Sequence, residues 1–108
     1  MYKVYFITQK IKGRKGLYPI KIGYSKDPDA RIKALQTGSP YKLRISVLLP
    51  FETKREAEIV ERCFHRLGKT KHKALSGEWF IIYGDRRNFI SESLKMADGI
   101  IKNTKSLS

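Results

Sequence analysis

The sequence predicts a small α/β sandwich, in which a largely antiparallel central sheet is flanked by helices in the order β-β-α-β-α-β-α. Two observations carry this prediction. Short segments rich in aromatic and β-branched residues alternate with segments of helical periodicity. The loop between the first two strands is short enough for these strands to pair as an antiparallel hairpin. The 108 residues fit one domain, which we assign to 1–102, followed by a polar C-terminal tail at 103–108.

The first two strands, predicted over 2–8 and 19–24, form an antiparallel hairpin around a basic loop that contains glycines. Successive side chains of a strand point to opposite faces of a sheet. If the apolar side chains share the core, Tyr5 and Lys21 lie together on the outer surface. Gly23 would keep that surface open to an approaching backbone or substrate.

The following elements are predicted from caps and alternation. Asp27 can cap a first helix that has Pro28 at its first position and that ends near Gln36. The third strand, over 42–49, alternates cleanly, so its apolar residues should share one face of the sheet. Those residues are Leu43, Ile45, Val47 and Leu49.

The second helix begins at a capping box formed by Thr53 and Glu56. We expect it to end at about Leu67, because Gly68 follows and glycine commonly terminates helices. The remaining predicted elements are a basic loop over 69–73, a short strand over 77–82 and a helix capped by Asp85.

The charge of the chain indicates its class of partner. Lys and Arg number 23 against 10 Asp and Glu, so the formal net charge is +13. Such an excess favours nucleic acid, double- or single-stranded, because phosphate contacts release condensed counterions. A basic protein without a specific partner is the alternative, and a membrane partner is disfavoured because no basic amphipathic helix occurs. The residues expected to contact the nucleic acid are Lys12, Arg14, Lys15, Ser25, Lys26, Lys69, Lys71 and Lys73.

The cysteine content and the N-terminal pattern bear on the compartment. Cys63 is the one cysteine, so a disulfide framework and a cysteine-based zinc site are excluded. The first apolar run is too short for a signal peptide. We therefore expect a soluble, cytoplasmic protein. The sequence leaves open its oligomeric state and whether a partner protein supplies targeting.

Four side chains could converge in a way that suits metal-assisted phosphodiester hydrolysis: Tyr5, Lys21, Arg31 and Glu61. A single Mg²⁺ or Mn²⁺ accepts one carboxylate with waters, and a guanidinium neutralises phosphate charge. A phenol takes a proton from water only if its pKa falls from about 10, which Lys21 would encourage. The structural alternatives are a strand aromatic for Tyr5, a surface pair with Asp27 for Arg31, and a solvated carboxylate for Glu61.

Val4-Tyr5 and four further short motifs occur in order over most of the chain, from Lys3 to about Phe80. The four further motifs are Lys-Ile-Gly-x-Ser at 21–25, the helical Arg31, Glu-x-x-x-His at 61–65 and Gly-Glu-Trp-Phe at 77–80. In this order they resemble the GIY-YIG nuclease superfamily, and most closely its branch labelled a phage-type DNA-binding domain.

The resemblance implies roles for the matching residues. Tyr5 matches the tyrosine that activates water, Arg31 the catalytic arginine, and Glu61 the carboxylate that binds a single divalent metal. His65, one turn from Glu61, could orient a water or touch phosphate. Lys21 stands in the place of the second motif's tyrosine, which makes it the main departure among the candidate catalytic residues.

Other positions depart from the pattern or carry no assigned chemistry. Lys3 replaces the glycine of the first motif, and no asparagine occurs between Glu61 and Asn88. We interpret Glu78 as mainly structural, with Trp79 as the principal aromatic of the core. His72 lies between two lysines in the predicted basic loop. We therefore expect it to be solvated.

Three functions remain in competition. The leading hypothesis is a Mg²⁺-dependent DNA endonuclease that uses activated water. The second is a DNA-binding module of the same fold without turnover, which the replaced tyrosine and the absent asparagine favour. The third is an RNA-binding or RNA-cleaving variant, because nothing in the sequence distinguishes a reader of the 2′-hydroxyl.

Overall fold

The computed structural model describes residues 1–10 and 18–106. In this part of the chain, strands and helices follow one another with these bounds: β1 Tyr2–Lys10, β2 Ile20–Ser25, α1 Pro28–Thr37, β3 Lys42–Phe51, α2 Lys54–Lys71, β4 Lys73–Ala74, β5 Trp79–Ile81 and α3 Arg86–Ser106. The predicted α/β class is confirmed. The two-residue strand β4 is too short to give a sequence pattern, and α3 continues beyond residue 102.

The strands form one antiparallel sheet in the order β3-β1-β2-β5-β4. β1 and β2 pair as the predicted hairpin, from Lys3 opposite Ser25 to Thr8 opposite Ile20. Because β1 also pairs with β3 along its length, both of its neighbours are strands. β1 therefore lies in the interior of the sheet.

The sheet has a core on each face. The larger core lies under α2 and α3 and contains Val4, Phe6, Ile22, Phe64 and Phe80 among others. A smaller cluster on the other face joins Tyr5, Ile7 and Leu43 to the apolar side of α1. The expectation that Tyr5 lies on an outer surface is therefore wrong. Tyr5 and Lys21 do share a face, but α1 covers it and leaves Tyr5 only 2% exposed.

A β-bulge divides β3 between the two cores. Phe6 lies opposite Val47, whereas the next residue of β1, Ile7, lies opposite Ile45, so Ser46 is an extra residue in β3. Leu43 and Ile45 consequently pack under α1, while Val47 and Leu49 pack on the α2 side. The prediction that these four residues share one face is wrong, because one inserted residue reverses the alternation.

Helix α2 is one turn longer than predicted, because Gly68 does not end it. A Cβ built on Gly68 would lie 2.6 Å from Cδ1 of Phe80, which is fully buried, so this glycine permits close packing of α2 on β5. The predicted loop over 69–73 is consequently wrong: Lys69 and Lys71 belong to the helix, and Lys73 begins β4.

The starts of the first two helices follow the predicted caps. Asp27 accepts the backbone N–H of Ala30 through its side chain, and Thr53 accepts that of Glu56. Among the described residues, no helix is both long and apolar enough to cross a membrane. The candidate nucleic-acid contacts Lys12, Arg14 and Lys15 lie outside the described residues.

Candidate functional site

The central geometric feature is an open stretch of the β2 edge. β5 pairs with β2 at Ile20 and Lys21, and the backbone N–H of Ile22 donates to the carbonyl of Glu78. Within residues 1–10 and 18–106, no strand pairs with that edge over the last residues of β2, 23–25. We call this gap beside residues 23–25 the notch. Side chains from both faces of the sheet can meet there.

His65 reaches the notch from α2. Its Nε2 lies 2.8 Å from the carbonyl oxygen of Ile22, and its ring packs 5.0 Å from that of Phe80. A carbonyl only accepts hydrogen bonds, so Nε2 carries the proton and donates it. His65 thereby completes the hydrogen bonding of β2 where β5 stops, and Nε2 is not free to ligate a metal through a lone pair.

Glu61 and Glu78 flank this histidine. One ligand atom from each of Glu61, His65 and Glu78 lies within 4.8 Å of the others, and all three residues are half-buried. Burial raises the pKa of Glu61 to about 7, and the neighbouring carboxylates of Glu78 and Glu58 add to the increase. A cation between these carboxylates would relieve both effects, because it favours their ionised forms.

The ammonium of Lys21 supplies part of the positive charge that would stabilise these ionised carboxylates. It lies 3.1 Å from Oε2 of Glu78, and the Lys21 side chain is only 11% exposed. The same ammonium lies 5.9 Å from the centre of the Trp79 ring. The expectation that Lys21 lowers the pKa of Tyr5 is not met, because its charge is directed at Glu78.

Tyr5 reaches the notch from the α1 face by crossing over β2. It pairs with Gly23, and a Cβ on that glycine would lie 2.5 Å from the phenolic oxygen. Burial raises the pKa of Tyr5, and a hydrogen bond from Arg31 partly opposes the increase. Arg31 lies on the exposed side of α1, so a protonated phenol and a solvent-accessible guanidinium adjoin each other.

The structure thus brings together most of the predicted site. Tyr5 and Arg31 approach from the α1 side, and Glu61 with His65 approaches from α2. Glu78 was interpreted as mainly structural and only secondarily as a site candidate, and the structure places it in the acidic cluster. The signal that could have identified it is its position in Gly-Glu-Trp-Phe, directly before β5, where its carbonyl accepts the backbone N–H of Ile22 in β2.

The predicted nucleic-acid contacts are dispersed. Ser25 accepts the backbone N–H of Asp27 and so shapes the turn into α1, and the ammonium of Lys26 lies 5.1 Å from the centre of the Tyr2 ring. Lys71 pairs with Glu92 of α3 at 3.0 Å. Lys69 and Lys73 are exposed. Ser25 and Lys26 are therefore the members of this set that border the notch.

The residues at the notch fit a hard divalent cation. Such ions take carboxylate oxygens and keep several waters, and the two carboxylates of Glu61 and Glu78 provide those oxygens on adjacent elements. His65 fits as a neighbour that holds the backbone, since its Nε2 is committed to Ile22. The sequence predicted a metal site with Glu61 as its one carboxylate ligand, and the structure adds Glu78 as a second candidate ligand.

The comparison with known families places the chain in a family. The family model of the T5orf172 domain matches residues 3–104, which is nearly the whole chain. This phage-associated domain occurs in nuclease-like, DNA-binding proteins. Comparisons with curated proteins and with solved structures found no match.

Proposed function

The chain belongs to the T5orf172 domain family, and on that premise we propose that it is a divalent-metal-dependent DNA endonuclease of the GIY-YIG type. The observation that carries the proposal is the notch. There, a carboxylate from α2 and one from the turn residue just before β5 adjoin a phenol and a guanidinium from the opposite face of the sheet. These are the groups that hydrolysis of a phosphodiester requires.

The cation would be held by Glu61 and Glu78. When bound, it supplies charge neutralisation on the phosphate and favours the nucleophilic form of water. In the proposed reaction a water oxygen bonds to phosphorus and the bond to the leaving sugar oxygen breaks. The proton that the attacking water loses is balanced by the proton that the leaving oxygen gains.

Arg31 and Tyr5 act on the phosphate and the water. The guanidinium of Arg31 is exposed and offers several donors, so it can bind phosphate oxygens while one donor remains on Tyr5. Because the phenol accepts from Arg31, its own O–H stays free to orient water or phosphate. While no metal is bound, the raised pKa keeps Tyr5 protonated at neutral pH. In that state the phenol orients its partner and does not take a proton from it.

His65 and Lys21 hold the framework. His65 fixes the end of the β2–β5 pairing through Ile22, and so determines how wide the notch opens. Lys21 fixes Glu78 through the 3.1 Å ion pair. Both are therefore positioning residues in this proposal, whereas the sequence alone groups them with the catalytic residues.

The deciding experiment is nicking of supercoiled plasmid, and degradation of single-stranded DNA and RNA, with Mg²⁺ or Mn²⁺. We expect DNA cleavage by the wild-type protein, none by Glu61→Gln, and a rate roughly a hundredfold lower for Arg31→Gln. Glu92→Gln, the same chemical change at an exposed site on α3, serves as the control and should retain the wild-type rate. Cleavage that survives in Glu61→Gln would contradict the proposal.

A DNA-binding module without turnover is the second candidate, and the Lys21–Glu78 ion pair favours it. An ammonium at 3.1 Å already neutralises one of the two carboxylates, so the fold does not depend on a metal there. This candidate predicts tight DNA binding by the wild-type protein with no cleavage under any metal. Selective cleavage of RNA would support the third candidate.

A further inference from the structure

A second concave site lies away from the notch. A cleft of about 270 Å³ opens beside the end of β1 and is lined by Thr8, Gln9, Tyr18, Arg44, Ser46 and Arg86. Val4, Phe6 and Thr8 are alternate residues of β1, so their side chains share one face of the sheet. This is the face that α2 and α3 cover. The notch lies beside the opposite end of β1, so the two sites share no residue.

The bulge in β3 directs one arginine to this cleft. Arg44 lies opposite Thr8, and directly paired residues of neighbouring strands project from the same face. If β3 alternated regularly from Val47 through Ser46, with no bulge, Arg44 would lie on the α1 face. Bulges commonly re-aim a side chain in this way near functional sites. The second arginine, Arg86, comes from the first residue of α3.

Two hydroxyl groups in the cleft, those of Thr8 and Ser46, are already committed as donors. The hydroxyl of Thr8 donates to Oγ of Ser46 at 2.8 Å, and that of Ser46 donates to the carbonyl of Phe6 at 3.3 Å. The two hydroxyls therefore stabilise the bulge. The guanidinium N–H groups of Arg44 and Arg86 are left as the charged donors of the cleft.

Within the described part of the chain, no carboxylate compensates the charge of these two guanidinium groups. Among the residues that the structure describes, neither Arg44 nor Arg86 forms an ion pair, whereas the adjacent Arg87 pairs with Asp85 at 3.3 Å. Arg86 is half-buried, and this burial lowers its pKa. A partly desolvated cation without a counter-charge is unfavourable until an anion binds beside it.

We propose that this cleft binds a backbone phosphate of nucleic acid, as an anchoring site separate from the notch. Two guanidiniums suit the oxygens of one phosphate, and a phosphate fits the volume of the cleft. The net charge of +13 favours a phosphate in a polyanion over free phosphate. This inference rests on the proposed nucleic-acid binding, but it is independent of cleavage.

The test compares two double variants in binding a mixed-sequence DNA duplex by fluorescence anisotropy across a range of salt. Arg44→Gln with Arg86→Gln removes the two charges of the cleft. Arg66→Gln with Lys95→Gln removes two exposed charges from α2 and α3 and is the matched control. We expect the cleft variant to lose about tenfold in affinity or more, and its salt slope to fall by about one. The control should lose clearly less.

Further measurements separate the sources of phosphate and the two proposals. Inorganic phosphate is titrated against the wild-type protein while the backbone amide signals of Arg44 and Arg86 are followed by NMR, and these signals should shift. Equal DNA affinities for both double variants would overturn the inference, even if inorganic phosphate binds. A wild-type protein that never cleaves DNA, yet shows the affinity loss in the cleft variant, would refute the nuclease proposal and support this one.

Thermal unfolding of both double variants guards against loss of fold. If the cleft variant unfolds, the single variant Arg86→Lys replaces it. A lysine keeps the charge and loses the planar fork, so the salt slope should stay while the affinity falls. Unchanged affinity in that variant would also count against the inference.

Discussion

At the scale of single residues, the position of the Tyr5 phenol depends on the missing side chain of Gly23. The ring crosses β2 directly over this glycine, and the phenolic oxygen lies 2.5 Å from where a Cβ would be. Tyr5 is 2% exposed and packed under α1, so the ring cannot swing away freely. Any larger residue at position 23 must therefore displace the phenol from the notch.

We predict that Gly23→Ala lowers the free energy of unfolding by about 1–3 kcal/mol through this overpacking. It should also remove cleavage, because the phenol leaves Arg31. Urea unfolding and the plasmid assay measure the two effects. Gly38→Ala is the control, since its Cβ would meet nothing within 4 Å, and its stability should change little. Equal stability of the two variants would contradict the proposed packing of Tyr5.

His72 also differs from its predicted solvated state. It forms the C-cap of α2, and its Nδ1 accepts the backbone N–H of Tyr83 at 2.9 Å. Its ring packs against those of Tyr83 and Phe89. A protonated Nδ1 could not accept this bond. The neutral imidazole therefore ties the end of α2 to the segment that follows β5.

Burial lowers the pKa of His72, which gives a pH dependence of defined sign. The unfolded chain then binds the proton more readily, so this contribution to stability is complete above about pH 6.5 and is lost as the pH falls through the folded pKa. The raised pKa of Glu61 acts in the opposite direction between about pH 4.5 and 7.

Comparison with His72→Gln isolates the histidine, because Glu61 is common to both proteins. We expect the stability of the wild-type protein relative to this variant to decrease as the pH is lowered from 7 to 5. Urea unfolding at a series of pH values measures the difference. A difference that stays constant with pH would show that His72 does not act as a neutral acceptor.

At the scale of whole elements, the packing of α2 on β5 depends on Gly68. Glycine inside a helix normally costs about 0.8–1.0 kcal/mol relative to alanine. In α2, the absence of a Cβ at Gly68 allows the Phe80 ring to approach the helix backbone closely. α3 offers a comparison, because Gly99 also lies inside a helix and a Cβ there would meet nothing within 4 Å.

We predict opposite effects for the same substitution in these two helices. Gly99→Ala should raise the free energy of unfolding by about 0.5–1 kcal/mol through helix propensity. Gly68→Ala should lower it by about 1–3 kcal/mol, because the clash with Phe80 outweighs that gain. Thermal or urea unfolding measures both variants. A stabilising Gly68→Ala would mean that α2 and β5 are not in close contact.

Elements set by local chemistry could be predicted from the sequence, and those set by distant contacts could not. The caps at Asp27 and Thr53 are local, so the starts of α1 and α2 were found. The bulge at Ser46 depends on the pairing of β3 with a strand about forty residues earlier, and no local pattern indicates it. The sequence around Gly68 is typical of a helix end. The reason for this glycine is the Phe80 ring of β5, which occupies the space of a Cβ and cannot be inferred from the local sequence.

At the scale of the whole molecule, the site exists because β5 stops short along β2. The structure places Tyr5 beside Arg31 and within electrostatic reach of Glu61, while their catalytic roles stay a prediction from motif order. Motif order could not show that these residues approach from opposite faces of the sheet, or that Glu78 joins them through the notch. The chain as a whole carries a net charge of +13, and within its described residues Glu61 and Glu78 lie together at the notch.

The most direct test of this account is a titration with Mn²⁺ followed by paramagnetic broadening of backbone amide NMR signals. If Glu61 and Glu78 form the metal site, broadening should begin at residues around 22–24, 61–65 and 77–79, and Glu61→Gln should abolish it there. Broadening that begins instead at other acidic positions, such as Glu92 or Asp98 on α3, would contradict the central claim that the notch is the metal-dependent site.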